Sequence, residues 1–162
     1  MTTLGKILSI TEVTNMVRGD KGIFKHLDIN NCSDDDYERY YFEIYDGYKI
    51  TTETHDFYIL INNDQQCCEN WGYFYLNDDE QAFIGRELRE INLTDTALNK
   101  QKVDDKGCGV DEDDDRYANI QFVDFVTNRG VLQFAVYNAH NGYYGHDIIF
   151  AKDTEIFHKD IL

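Results

Sequence analysis

The chain has 162 residues, with 31 Asp and Glu against 15 Lys and Arg, for a formal net charge of −16. It has no proline, 12 tyrosines and 10 phenylalanines, and 42% of its residues are hydrophobic. This balance argues against direct binding of a nucleic-acid backbone or an anionic membrane, both of which demand surplus Lys and Arg. It also supplies more core than a disordered acidic chain holds.

At 19.0 kDa, area scaling buries about 70% of the unfolded surface, enough for one domain. No apolar run reaches the ~18 residues that a membrane span needs. The start, Met1-Thr2-Thr3-Leu4-Gly5-Lys6, lacks the layout of a signal peptide. The expected setting is a reducing cytoplasm, with Cys32, Cys67, Cys68 and Cys108 as thiols or metal ligands rather than disulfides.

Strand patterning dominates the chain. Residues 23–30 alternate, with Ile23, Lys25, Leu27 and Ile29 on one face. Residues 39–45 and 48–54 flank Asp46-Gly47, a pair suited to the two φ > 0 positions of a type I′ turn, so a hairpin is predicted there. Residues 55–62 form a continuous apolar run that suits a central strand. Asp78, Asp79 and Glu80 ahead of Gln81-Ala82-Phe83-Ile84 predict a short helix with an acidic first turn, ended by Gly85. Further strands are predicted at 71–76, 118–127, 131–137 and 146–151, with a turn at Asn128-Arg129-Gly130, and 87–93 reads as strand in preference to a continued helix. The polar stretch from Thr94 to Arg116 reads as a long exposed loop, acidic over about 100–116. The expected class is α+β: a β-rich, mostly antiparallel sheet with one or two short helices, in a single domain over 1–162.

Three segments carry a family resemblance. They are Gln66-Cys67-Cys68-Glu69, then Phe83-Ile84-Gly85-Arg86-Glu87-Leu88, then Asn141-Gly142-Tyr143-Tyr144. In these, and in Leu4-Gly5-Lys6, the chain resembles a family of small uncharacterised proteins from bacteria, their phages and mobile elements. The resemblance spans most of the chain outside residues 104–116. It implies a fold and a phage-like origin, and no activity.

The candidate sites follow from charge and ligand chemistry. Asp104, Asp105, Asp111, Glu112, Asp113, Asp114 and Asp115 put seven acids within twelve residues. Such a segment spans at most ~40 Å, or about 6 Å per charge, within a factor of two of the ~3.4 Å phosphate spacing of a DNA strand. Asp34, Asp35 and Asp36 with Glu38, and Asp78, Asp79 and Glu80, form two smaller clusters. The plain alternative is a solvated charge run that confers solubility. A calcium loop is a poor fit, because Arg116 stands where an EF-hand requires Gly.

Cys67, Cys68, His140 and His146, with Cys108, are the ligand types zinc prefers, although no C-x₂-C pair is present. The alternative is ordinary packing of buried thiols and hairpin histidines. No Walker A, H-E-x-x-H or G-x-S-x-G pattern occurs, and no catalytic residue is expected. Tyr37, Tyr40, Tyr41, Tyr45, Tyr48, Tyr73, Tyr75, Tyr143 and Tyr144 flank strands or turns; the plain reading is ordinary sheet residues, and beside acids they suit a Lys/Arg-rich partner.

The leading expectation is a non-enzymatic acidic protein that binds a basic, nucleic-acid-binding partner. The resemblance to phage-type proteins implies a defence nuclease as target, with this chain an anti-CRISPR or anti-restriction inhibitor. No cofactor is needed for that role. The second expectation is a zinc-binding protein using Cys67, Cys68, His140 and His146.

Overall fold

Residues Asp56–Asn62 form β4, whose Phe57, Ile59 and Ile61 point to one side and Tyr58 and Leu60 to the other. Both sides are buried, which is why this strand reads as a continuous apolar run instead of an alternation. The computed structural model describes residues 3–65, 70–107, 119–139 and 144–162. The remaining strands are β1 (Ile7–Arg18), β2 (Phe24–His26), β3 (Tyr45–Thr52), β5 (Trp71–Tyr75) and β6 (Leu88–Thr94). They are followed by β7 (Ile120–Thr127), β8 (Gly130–Asn138), β9 (Asp147–Lys152) and β10 (Glu155–Ile161). Among the described residues the α-helices are two and short, α1 (Asp34–Tyr40) and α2 (Lys100–Asp105), so the α+β, β-rich expectation holds.

The strands make two antiparallel sheets, β10-β9-β4-β3-β1-β2 and β5-β8-β7-β6. Their facing sides share one core, with Ile7, Ile50, Phe57, Ile59 and Phe150 from the first sheet. Val123, Phe125, Leu132, Phe134 and Val136 come from the second. Phe57 and Phe125 meet edge to face across the layers at 5.6 Å. Each such ring contributes about 1.5–3 kcal/mol by leaving water.

The six-stranded sheet curls on itself. Phe24 of β2 and Tyr58 of β4 lie three strand spacings apart in order, about 14 Å on a flat sheet. Their ring centroids are nevertheless 4.6 Å apart. The bend comes from β1, whose register shifts between Ile7 and Ser9 and again between Val13 and Met16. At the second shift Asn15 takes φ 51°, a bulge that swings the end of β1 over the outer side of the sheet. Arg18 then reaches the opposite margin, where its Nη2 donates to the Thr154 carbonyl at 2.9 Å.

Asp46-Gly47 is not a turn, which corrects the predicted hairpin. Both residues lie within β3, with Gly47 paired to Val13 on one side and Leu60 on the other. The Asp46 carboxylate accepts the Asn15 backbone N–H at 2.8 Å and the Asn63 side-chain amide at 2.9 Å. It therefore satisfies the donor that the β1 bulge frees. The β3–β4 hairpin turns instead at residues 53–55, where Thr52 Oγ1 accepts the His55 N–H at 3.0 Å. Two more expectations fail nearby. The strand expected over 39–45 is not formed, because residues 34–40 are helix and only Tyr45 of that span joins β3, and in 23–30 only Phe24–His26 pairs.

β5, β6, β7, β8 and β9 fall within a residue or two of their expected places, and Asn128-Arg129 turns between β7 and β8. The predicted short helix is the 3-10 turn Glu80–Phe83, N-capped by Asp79.

On the outer side of the small sheet, Gln133 is buried and links four segments. Its side chain accepts the Leu98 N–H at 2.7 Å and donates to Thr96 O and Asp124 Oδ1, while its backbone N–H reaches Asn77. Burial pushes the Asp124 carboxyl up despite the Gln133 hydrogen bond. A carboxyl raised in the folded state costs stability above its folded pKa and nothing below its unfolded value near ~4. Asp124→Asn keeps an oxygen for Gln133. The variant is therefore expected to melt above the parent at pH 7, with the gap closing as pH falls from the raised folded pKa to about 4 in thermal denaturation by circular dichroism.

Candidate functional site

α1 forms because Ser33 caps it: its Oγ accepts the Asp36 N–H at 3.1 Å. Asp34, Asp35 and Asp36 fill the first turn, where the helix dipole favours negative charge. Tyr40 anchors the helix on Val17, Leu27 and Ile44, and Arg39 pairs with Asp20 at 2.8 Å. Past the anchor the chain turns, leaving Tyr37, Tyr41 and Phe42 in edge-to-face contact at 5.6 and 4.3 Å. All three are exposed, Phe42 at 65%. Large exposed aromatics beside acids are the composition of an interaction surface.

A second acidic region lies at α2. Asn99 caps this helix, and Val103 docks it on the outer side of the small sheet with Phe74, Leu76 and Phe122. Lys102 joins two of the three acidic clusters of the sequence: its Nζ donates to the Asn77 carbonyl and pairs with Asp78 at 3.2 Å. Asp78, Asp79 and Glu80 thus stand beside the helix that carries Asp104 and Asp105. Burial by itself would raise the Glu80 carboxyl. Hydrogen bonds from its own backbone N–H, Gln81 and Tyr75, together with the Lys102 charge, outweigh that and hold it below its ordinary range.

Between β5, β1 and α2 opens a cleft of about 470 Å³. Tyr48, Tyr73 and Tyr75 wall it, with Glu12 and Asp105 on the rim. Tyr73 donates its hydroxyl to Glu12 at 2.6 Å. Burial pushes the phenols of Tyr48 and Tyr73 far up, and the neighbouring carboxylates add to it, so both remain protonated. Glu12 was not singled out from the sequence. Its place beside the tyrosines depends on β1 crossing in front of β5, which no local signal announces.

Asp111, Glu112, Asp113, Asp114, Asp115, Cys67, Cys68, Cys108 and His140 lie outside the described residues. Their flanking residues meet at one end of the two sheets. The Ala139 N–H donates to the Asn70 carbonyl at 2.7 Å, and Asn70 Nδ2 donates to the Gly107 carbonyl at 3.2 Å. The Asn138 N–H donates to the Asn119 carbonyl at 2.9 Å. His146 is buried here, its Nδ1 2.7 Å from the Asn62 carbonyl and its ring stacked on Trp71 at 5.3 Å. A carbonyl only accepts, so Nδ1 carries the proton. Among the described residues, no group of three or more His, Cys, Asp or Glu is placed to hold a metal. No helix among them is long and apolar enough to cross a membrane.

Residues 3–150 match the family described as a domain of unknown function, DUF7448. The chain belongs to this family. The match covers both sheets up to β9, and with them α1, the tyrosine cleft and α2. No curated protein and no solved structure matches the chain.

Proposed function

We propose that this DUF7448 protein is an acidic interaction protein that binds a basic, nucleic-acid-binding partner and occupies sites meant for phosphates. The observation that carries this reading is the α1 surface. Exposed Tyr37, Tyr41 and Phe42 sit next to Asp34, Asp35, Asp36 and Glu38. Aromatic anchors supply buried area, while the acids steer a cationic partner and set its orientation. Asp78, Asp79, Glu80, Asp104 and Asp105 form a second negative region at α2, and Asp111 to Asp115 follow it in sequence. The resemblance to phage-type proteins makes a host defence nuclease the target class, with this chain its anti-CRISPR or anti-restriction inhibitor.

The test is pull-down from host cells followed by affinity measurement against salt. Affinity for a basic nuclease is expected to fall steeply as salt rises. Phe42→Ala is expected to weaken binding by about tenfold or more, and charge reversal of Asp34–Asp36 or of Asp111–Asp115 to weaken it further. Salt-independent binding, or full inhibition after both clusters are neutralised, overturns mimicry.

A zinc-binding role has its own support in the Asn70–Ala139 hydrogen bond, because these residues flank the Cys67/Cys68 and His140 positions. Elemental analysis of purified protein tests it. A stoichiometric metal supports the role, and less than about a tenth of an equivalent ends it.

A further inference from the structure

The tyrosine cleft offers a ligand site distinct from the α1 surface. Tyr48 forms its floor at 7% exposure, packed against Tyr73, Tyr75 and Phe134 at 5.1 to 5.4 Å. Among the described residues no group hydrogen-bonds the Tyr48 hydroxyl, although the residue lines the cleft. The rim carboxylates are each half used. Glu12 Oε1 accepts from Tyr73 and Asp105 Oδ1 accepts from Gln101 at 2.7 Å, leaving the second oxygen of each for an incoming donor. Tyr75 is likewise engaged by Glu80, whose charge adds to the cleft.

The two lysines at the cleft do not reverse this preference. Lys102 is spent on Asp78 and the Asn77 carbonyl. Lys106 lies 5.7 Å above the Phe74 ring, an internal instance of the cation–aromatic contact that the tyrosines extend to a ligand. An anion entering here would meet Glu12, Glu80 and Asp105 at close range.

We propose that this cleft binds the guanidinium group of an arginine side chain presented by a partner polypeptide. The planar cation stacks on the tyrosine wall and donates to Glu12 Oε2, Asp105 Oδ2 and the Tyr48 hydroxyl. A guanidinium fits better than an ammonium because it has five donors in one plane and sheds water more readily. A polypeptide source suits the surroundings, since Asp104 precedes Asp105 on α2 and Asp78 stands beside that helix, a negative setting that favours a partner segment with further basic residues. The assignment takes its ligand class from the basic-partner reading but rests on its own surface.

The experiment uses the whole protein and the blocked tripeptide glycyl-arginyl-glycine, with lysyl and citrullinyl counterparts, followed by NMR of the tyrosine rings at low salt. Saturable shifts confined to Tyr48, Tyr73 and Tyr75 are expected with the arginine peptide. Tyr48→Phe and Glu12→Gln, which preserve ring and shape, should each weaken it by about tenfold, the loss expected for one hydrogen bond to a charged group. Absence of shifts, equal binding of the citrulline peptide, or indifference to both substitutions overturns the proposal. The α1 reading fails separately. If the Asp34–Asp36 reversals leave partner binding intact while the cleft still takes arginine, α1 is overturned and the cleft stands.

Discussion

Gly47→Ala is expected to destabilise the protein by about 4 kcal/mol, at the extreme of single-residue effects. A Cβ at this position would sit 1.9 Å from the Ile59 carbonyl oxygen and 3.1 Å from Leu60 Cα. Both atoms are backbone of β4, a strand hydrogen-bonded on both sides, to β3 and β9. β4 cannot retreat without breaking one of those ladders. β3 is held equally, by β1 and β4. A typical domain has about 5–15 kcal/mol in total, so the variant should unfold at much lower urea or fail to accumulate. Gly85→Ala is the control. Gly85 also has positive φ, 80°, but nothing lies within 4 Å of its missing Cβ. Its cost should be only ~1–2 kcal/mol, the strain of a left-handed non-glycine residue. Equal urea midpoints for the two variants would show that the β3–β4 approach is not as close as described.

Phe134→Ala is expected to cost about 3–5 kcal/mol. The ring is fully buried on β8 and packs edge to face on Phe125 at 5.2 Å. It also touches Tyr48 of the opposite sheet at 5.1 Å, so its removal empties the space between layers held by rigid ladders. A cavity there collapses poorly, and the loss includes the aromatic contacts, about 0.5–1.5 kcal/mol each. Phe134→Leu refills most of the volume and should lose much less. Because Phe134 backs Tyr48, the alanine variant should also lose arginine-peptide binding at temperatures where it remains folded. Urea titration gives the first result and the tyrosine resonances the second. An alanine variant as stable as the leucine one would contradict the shared core.

Regular burial decides which parts of this fold the local sequence carries. β4, β5, β7, β8 and β9 were legible because their apolar residues face one or two buried sides at a regular period. β1 was not. Its buried or half-buried apolar positions Ile7, Ile10, Val13 and Met16 are spaced by three, with Val17 buried next to Met16, because two register shifts interrupt the alternation. β10 is an edge strand with mostly exposed side chains, so it has little pattern to show. For α1, Tyr40-Tyr41-Phe42 reads as strand until Tyr40 is seen to be the helix anchor. Asp46-Gly47 signals an unusual backbone correctly and its place wrongly: the dipeptide serves a bulge in the neighbouring strand.

The candidate surfaces divide in the same way. Composition and local pattern sufficed for an acidic, aromatic, β-rich chain, for its central strand, and for the identity of each acidic cluster, since these depend on neighbours within a few residues. Which clusters share a surface did not follow from them. Lys102 brings Asp78 to α2 across 24 positions, and Tyr73 meets Glu12 across 61. Those meetings depend on the order in which the strands pair and on a bulge that curls one sheet. Pairing order is settled by burial and backbone hydrogen bonds summed over the whole molecule, and no segment of the chain carries that sum alone.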